Sequence, residues 1–148
     1  MFERFTEPAR RIMFFARYEA SQFGSPFIET EHLLLGILRE DKALVTRLLH
    51  SLTAIGPIRR EIEAASPVRQ KISTSVDLPL SSESKRALAY AAEEAGGINA
   101  KQIAPEHLLL GLLREEKCFA AEILRQRGLT VDRVRRDNQG PAWSPAEP

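Results

Sequence analysis

The sequence predicts an all-α fold made of two tandem four-helix repeats, and three observations predict it. The stretch Glu31-His32-Leu33-Leu34-Leu35-Gly36-Ile37-Leu38-Arg39-Glu40 returns almost unchanged, 75 positions later, as Glu106-His107-Leu108-Leu109-Leu110-Gly111-Leu112-Leu113-Arg114-Glu115. The same offset aligns Arg11 with Arg86, Ala16 with Ala91, Glu19 with Glu94, Ala20 with Ala95, Ile28 with Ile103 and Leu49 with Leu124, so the match extends well beyond one motif. Around both copies the apolar residues recur at helical spacing, and the breakers fall at corresponding places. A chain of 148 residues with 43% hydrophobic content can bury one good core, or two small ones sharing a face, which predicts one compact unit.

In each copy the first helix begins after a hydroxyl residue, Thr6 or Ser81. Either side chain can accept from the free amides of the first turn, and Pro8 is tolerated there because its missing N–H had no partner to lose. The predicted buried stripe is Ala9, Met13, Ala16, Ala20 and Phe23, answered by Leu88, Ala91, Ala95 and Ile98. A loop follows, Gly24-Ser25-Pro26 or Gly96-Gly97 with Asn99. The second helix is capped by Thr30 in one copy and opened by Pro105 in the other, and its run of three leucines leaves little room for a wet face. Gly36 and Gly111 on this helix are expected to admit a crossing neighbour. The third helix carries Leu44, Val45, Leu48, Leu49 and Leu52, or Phe119, Ala120, Ile123 and Leu124, ending near Gly128 in the second copy. The fourth starts near Gly56-Pro57 with Ile58 and Ile62, or near Thr130 with Val131 and Val134. A one-residue slip in the turn before it brings Arg59-Arg60 opposite Arg135-Arg136. The expected boundaries are repeat one at 2–65, a connector at 66–79, repeat two at 80–138 and a loose proline-rich tail at 139–148. In the connector Val76, Leu78 and Leu80 alternate like an extended segment pressed on a surface.

A formal charge of +1, from 21 basic and 20 acidic side chains, supplies no long-range field for a polyanion or a membrane surface. Nucleic acid and membrane are therefore not expected partners. The single cysteine, Cys118, cannot form an internal disulfide, and the N-terminus lacks an apolar targeting stretch, which together point to the cytoplasm. None of the eight glycines opens a Gly-x-x-x-x-Gly-Lys phosphate loop, so no nucleotide motor, cofactor or catalytic residue is predicted. His32 and His107 each follow a glutamate. Neighbours on a helix point about 100° apart and do not converge on one ligand, so structural duty is expected of the histidines and no metal site is predicted.

The duplicated Glu-His-Leu-Leu-Leu-Gly motif, with Phe5-Thr6-Glu7-Pro8-Ala9 ahead of its first copy, resembles the N-terminal repeat domain of Clp ATPases, the ClpC type in particular. The resemblance covers about residues 2 to 138. It implies an all-helical pseudo-twofold module that, in the family, sits ahead of two ATPase rings and receives adaptor proteins or substrates. It also implies that Glu31 and Glu106 match glutamates that help bind phosphorylated arginine on marked substrates, with Thr6 and Ser81 at the helix starts suited to the phosphate. The second copy departs from the family pattern, with Pro105 where Thr30 stands and Ser81 in place of threonine. A plainer reading stands beside this one: a glutamate in a first turn is stabilised by the helix dipole by about 0.3–1 kcal/mol. A further expectation is a free-standing regulator that competes with a full-length Clp ATPase for adaptors, or delivers a client to it.

Two surface features complete the candidate sites. Arg10, Arg11 and Arg17, and Arg133, Arg135 and Arg136, are either basic patches for an acidic adaptor or solvated helix faces. Phe2, Phe5, Phe14, Phe15 and Tyr18 crowd seventeen residues and exceed what one helical stripe can bury, so they either fill the seam between repeats or form an exposed patch for a protein partner. Phe2, Phe5, Arg10 and Phe14 are the candidate protein-binding residues.

Overall fold

The computed structural model describes residues 2–50 and 55–138, and among these it is built of helices joined by turns and extended segments. In chain order they are α1 (Glu7–Gln22), α2 (Thr30–Glu40), α3 (Lys42–Leu49), α4 (Ile55–Ala65), α5 (Ser82–Gly97), α6 (Pro105–Arg114), α7 (Phe119–Gln126) and α8 (Val131–Asn138). The first four and the last four correspond across the duplication. Leu52, the expected end of the third helix, and the proline-rich tail at 139–148 lie outside the described residues.

Local chemistry sets the helix starts. Thr6 Oγ1 accepts from the Ala9 amide at 3.2 Å, Ser81 Oγ from the Ser84 amide at 3.1 Å, Asp41 Oδ1 from Leu44 at 3.1 Å and Thr130 Oγ1 from Arg133 at 3.2 Å. One predicted cap is corrected. Thr30 is the first residue inside α2 and is buried; Glu29 occupies the cap position, and no side-chain cap bond is made from it. The cap is closed from the other direction. His32 Nδ1 accepts from the Glu29 amide at 2.9 Å, and His107 Nδ1 accepts from the Ala104 amide at 2.9 Å. An imidazole therefore does what Glu or Gln does at the third position of a capping box.

The duplicated glycines set how closely helices pack. A Cβ on Gly36 would lie 2.6 Å from the Ile12 carbonyl oxygen of α1, and one on Gly111 would lie 2.1 Å from that of Ala87 in α5. Each leucine-rich helix thus meets the first helix of its own repeat backbone to backbone. Leu34, Leu35, Ile37, Leu109, Leu110 and Leu112 are almost wholly buried. The first-helix stripe follows the expectation at Ala9, Met13, Ala16, Ala20, Ala91 and Ala95, and adds Ile12 and Ala87. Ile98 departs from it, 60% exposed, because α5 has ended and Ile98 is already the cap.

Duplicated ion pairs tie the same elements in both halves. Arg11 grips Glu40 and Arg86 grips Glu115, joining first helix to second. Arg59 donates to Glu19 and Arg135 to Glu94, joining fourth helix to first, at the register the one-residue slip requires. The halves are laced together by two parallel bridges, Phe5 with Ile103 and Ile28 with Leu80. In the connector Leu78 is buried and Leu80 half-buried, whereas Val76 is 44% exposed, so this part of the segment is not pressed down as predicted.

Candidate functional site

The two bridges decide which helix starts become neighbours. The Thr6 amide donates to the Ile103 carbonyl at 3.0 Å and the Ile103 amide to Arg4 at 2.7 Å, which sets the start of α1 beside the segment leading into α6. In the other half, the Ser81 amide donates to the Ile28 carbonyl at 3.1 Å, the Ile28 amide donates to Pro79 at 2.8 Å, and Ser84 Oγ reaches the same Ile28 carbonyl at 2.8 Å. The start of α5 therefore lies beside the segment leading into α2. The candidate groups combine across the repeats: Ser81 on the side of Glu31, and Thr6 on the side of Glu106.

Glu31 and Glu106 are each the second residue of their helix and are half-buried. Among the described residues neither enters an ion pair, while Glu19, Glu40, Glu94, Glu115 and Asp137 are all held by arginines. Their surroundings differ. Burial, and then the nearby carboxylates of Glu29 and Glu83, push the Glu31 carboxyl above the ordinary range, against the pull of its own backbone amide and the Thr30 hydroxyl. A carboxylate so placed is stabilised by an incoming cation. Glu106 instead lies within the field of Arg47, a guanidinium already held by Asp137.

The cap hydroxyls are engaged. Thr6 Oγ1 serves the Ala9 amide, and Ser81 Oγ serves the Ser84 amide while bonding the Ser84 hydroxyl at 3.0 Å. What distinguishes the two starts is the backbone: Pro8 removes one amide from the first turn of α1, where Glu83 keeps it in α5. The second start therefore presents one more backbone donor than the first.

His32 and His107 do not converge on a metal; among the described residues no cluster of three or more His, Cys, Asp or Glu side chains could hold one. His32 packs against Phe23 with ring centroids 5.5 Å apart. Burial, with the field of Arg69 added, depresses it to about 4 from its ordinary value of 6.5. His107 is depressed in the same direction by burial. Both serve as neutral hydrogen-bond acceptors that fix the turn carrying the adjacent glutamate.

The aromatic candidates separate. Phe14 is 61% exposed and Tyr18 38%, Phe2 and Phe15 are half-buried, and Phe5 is buried. Phe5 is thus corrected as an exposed docking residue: its backbone bridges Ile103 and its ring lies 4.9 Å from that of Phe2, within the seam. Arg10 is exposed, its Nε donating to the Phe2 carbonyl at 3.3 Å. Phe2, Arg10, Met13 and Phe14 line a groove of about 530 Å³ with Pro79, Leu80 and Lys85, between α1, the connector and α5. Of the basic patches, Arg11 and Arg135 are committed to carboxylates. Glu19 is a buried charge that its own stretch of sequence does not announce. Its alignment with Glu94, and of Arg59 with Arg135, was the signal that the four form two equivalent pairs.

No helix among the described residues is long and apolar enough to cross a membrane. The family described as the Clp repeat (R) N-terminal domain matches residues 4–127 and again 79–142. The ClpA homologue of the Clp protease ATP-binding subunit from Guillardia theta is 36% identical over 136 residues, 91% of this chain but 16% of that protein. The chloroplastic chaperone protein ClpC1 of Oryza sativa subsp. japonica is 36% identical over the same share of the chain and 15% of its own length. The chain thus spans about 15% of the length of the curated relatives it matches. Among solved structures, the N-terminal domain of the chaperone ClpD from Arabidopsis thaliana superposes with a TM-score of 0.72 at 29% identity, covering 90% of this chain and 91% of that one. The Hsp104 N-terminal domain from Candida albicans, at 20% identity and a TM-score of 0.73 over 93% and 91% of the two chains, shares the fold. Duplicated helices, duplicated glycine contacts and these matches agree: the chain belongs to the Clp repeat (R) N-terminal domain family.

Proposed function

We propose that this domain is a non-catalytic docking module that receives adaptors or substrates for a Clp-type ATP-dependent protease, and that Glu31 with Ser81 and Glu106 with Thr6 form two sites of related design for a phosphorylated arginine. The observation that carries the reading is the crossed pairing. Each site takes a carboxylate without an ion pair from one repeat and an amide-bearing helix start from the other. A guanidinium pairs with the carboxylate, and the phosphate attached to it faces the positive end of a helix. Family membership supports the docking role, and the matching glutamates support the ligand.

Isothermal titration of free phosphoarginine into wild type, Glu31→Ala, Glu106→Ala and the double variant tests the reading. Two equivalents are expected in wild type, one in each single variant and none in the double variant. Undiminished binding in the double variant removes both carboxylates from the site. Because burial and neighbouring carboxylates raise the Glu31 carboxyl, its site should weaken as the pH is lowered toward the carboxylate range.

A further inference from the structure

The two copies of one arginine differ in a way that points to a second docking surface. Arg114 lies over the Tyr90 ring, 4.5 Å from its centroid, and its two terminal nitrogens are taken by Glu93 at 2.9 Å and Glu94 at 3.1 Å. Arg39, its counterpart in the first repeat, lies over Phe15 at the same 4.5 Å and within 5.5 Å of the Tyr18 centroid. Here the carboxylates are gone. Tyr18 stands where Glu93 stands in the second copy, and Glu19, the counterpart of Glu94, is turned to Arg59. Among the described residues Arg39 makes no ion pair and no hydrogen bond, and it is exposed.

Beside it is an apolar trough. Phe14, Tyr18 and Val76, exposed by 61%, 38% and 44%, form a groove of about 320 Å³ with Arg17, Ser21 and Thr74. Arg17 lies on this groove, its Nη2 donating to the Thr74 carbonyl at 3.4 Å and its Nη1 at a long 3.7 Å from Asp77, whose side chain is 97% exposed. The surface therefore offers one free guanidinium posed by two rings, a second weakly held one, and an apolar floor between connector and α1.

We propose that this face of the first repeat binds an acidic polypeptide segment, a carboxylate of the partner taking the Arg39 fork and a neighbouring aromatic or aliphatic side chain lying in the Phe14–Tyr18–Val76 groove. Charge complementarity fixes the occupant. In the second repeat the chain supplies the carboxylates itself; in the first it leaves the same stacked arginine without them. Stacking holds the guanidinium plane in place, so little side-chain freedom remains to be lost when a carboxylate engages it in two-pronged fashion. The proposal rests on the docking reading only in that the domain receives polypeptide, and this surface is separate from the glutamate sites.

The probe is a short fluorescein-labelled peptide alternating glutamate with leucine and phenylalanine, measured by anisotropy against its glutamine counterpart. Wild type should bind the glutamate peptide at least about tenfold more tightly, with the difference shrinking as salt is raised. Arg39→Met, which keeps the stem over the rings, and Tyr18→Glu, which installs the second copy's carboxylate, should each lose that preference while retaining phosphoarginine binding. In wild type the peptide should shift the Arg39 side-chain Nε resonance and leave that of Arg114 in place. Equal binding of the two peptides, an unmoved Arg39 Nε signal, or full affinity in Arg39→Met overturns the proposal. Peptide binding that survives in the Glu31→Ala, Glu106→Ala double variant separates this surface from the phosphoarginine sites, so either reading can fail without the other.

Discussion

Adding a single methyl group at Gly111 tests the closest contact in the fold. Glycine within a helix costs about 1 kcal/mol relative to alanine, so Gly→Ala taken alone stabilises. At Gly111 the new Cβ would sit 2.1 Å from the Ala87 carbonyl oxygen and 3.0 Å from the Ala91 amide, both backbone atoms that cannot swing aside. Ordinary contact begins at 3.4 Å, so α5 and α6 must part by roughly 1.3 Å, beyond the usual 1–3 kcal/mol range of overpacking once the surrounding leucines lose contact. The net expectation is a loss of about 2–3 kcal/mol, or roughly 5–10 °C in Tm for a chain of this size. At Gly36 the overlap is smaller, 2.6 Å to the Ile12 oxygen, and a loss of about 1–2 kcal/mol is expected. Gly96, in the last turn of α5, has nothing within 4 Å of its Cβ position, so Gly96→Ala should raise stability by about 0.5–1 kcal/mol. Urea unfolding followed by circular dichroism measures all three. If Gly111→Ala is as stable as Gly96→Ala, α5 and α6 do not pack backbone to backbone at this position.

The remaining predictions concern groups the fold buries. His32 is neutral in the fold with a value of about 4 and ordinary when unfolded, so its stabilisation is complete above pH ~6.5, declines as pH falls through that value toward 4, and amounts to about 3 kcal/mol in all. Urea midpoints across that range should fall in wild type, and His32→Asn, whose Oδ1 can accept the Glu29 amide without titrating, should flatten the slope. Arg59→Met strands the buried Glu19 carboxylate, but Arg59 is 39% exposed, so the loss should be about 1–3 kcal/mol, below the 3–5 typical of fully buried pairs. Arg135→Met should cost less in the same urea assay, since Glu94 keeps Arg114. Cys118 is buried, its thiol pushed up chiefly by burial, and it accepts from the Ala121 amide; labelling by a disulfide reagent should be slow in the native protein and rapid once urea unfolds it.

Features carried by short-range chemistry were legible in the sequence. Thr6, Ser81 and Pro105 marked helix starts because a cap needs only the next few amides, and the slip that aligned Arg59 with Arg135 was visible as a gap in a turn. Gly36 and Gly111 stood out because glycine is otherwise unfavourable inside a leucine-rich helix. Long-range arrangements were not legible. Nothing in either repeat announces that Ile28 pairs with Leu80 and Phe5 with Ile103, so neither the crossing of Glu31 with Ser81 nor the burial of Phe5 could be read from spacing. Thr30 was misread as a cap because a hydroxyl before Glu-His looks like one. The competing acceptor was the imidazole of His32, reaching back to the Glu29 amide.

A duplicated chain also shows where to look for function. The copies agree at contacts that hold the scaffold: the histidine acceptors, the glycine approaches, Arg11–Glu40 with Arg86–Glu115, and Arg59–Glu19 with Arg135–Glu94. They differ where a side chain meets water: Phe14 against Ala89, Tyr18 against Glu93, Glu29 against Ala104 and Pro8 against Glu83. Each of these differences changes charge, apolar exposure or a backbone donor, with no change in the helices beneath. The two proposed sites, though of one design, therefore need not bind one ligand equally. The second start offers the phosphate an extra amide, yet Glu83 adds negative charge beside Glu31, the carboxylate that serves it. At near-physiological salt the guanidinium gains from that charge and the phosphate loses, so the Glu31 site should favour ligands whose positive end dominates, while the Glu106 site, near Arg47, should tolerate more negative ones. Comparing arginine with phosphoarginine at each site, in the Glu106→Ala and Glu31→Ala variants respectively, resolves the two preferences; identical selectivity at both sites would mean that the charges dividing the repeats lie too far from the ligand to matter.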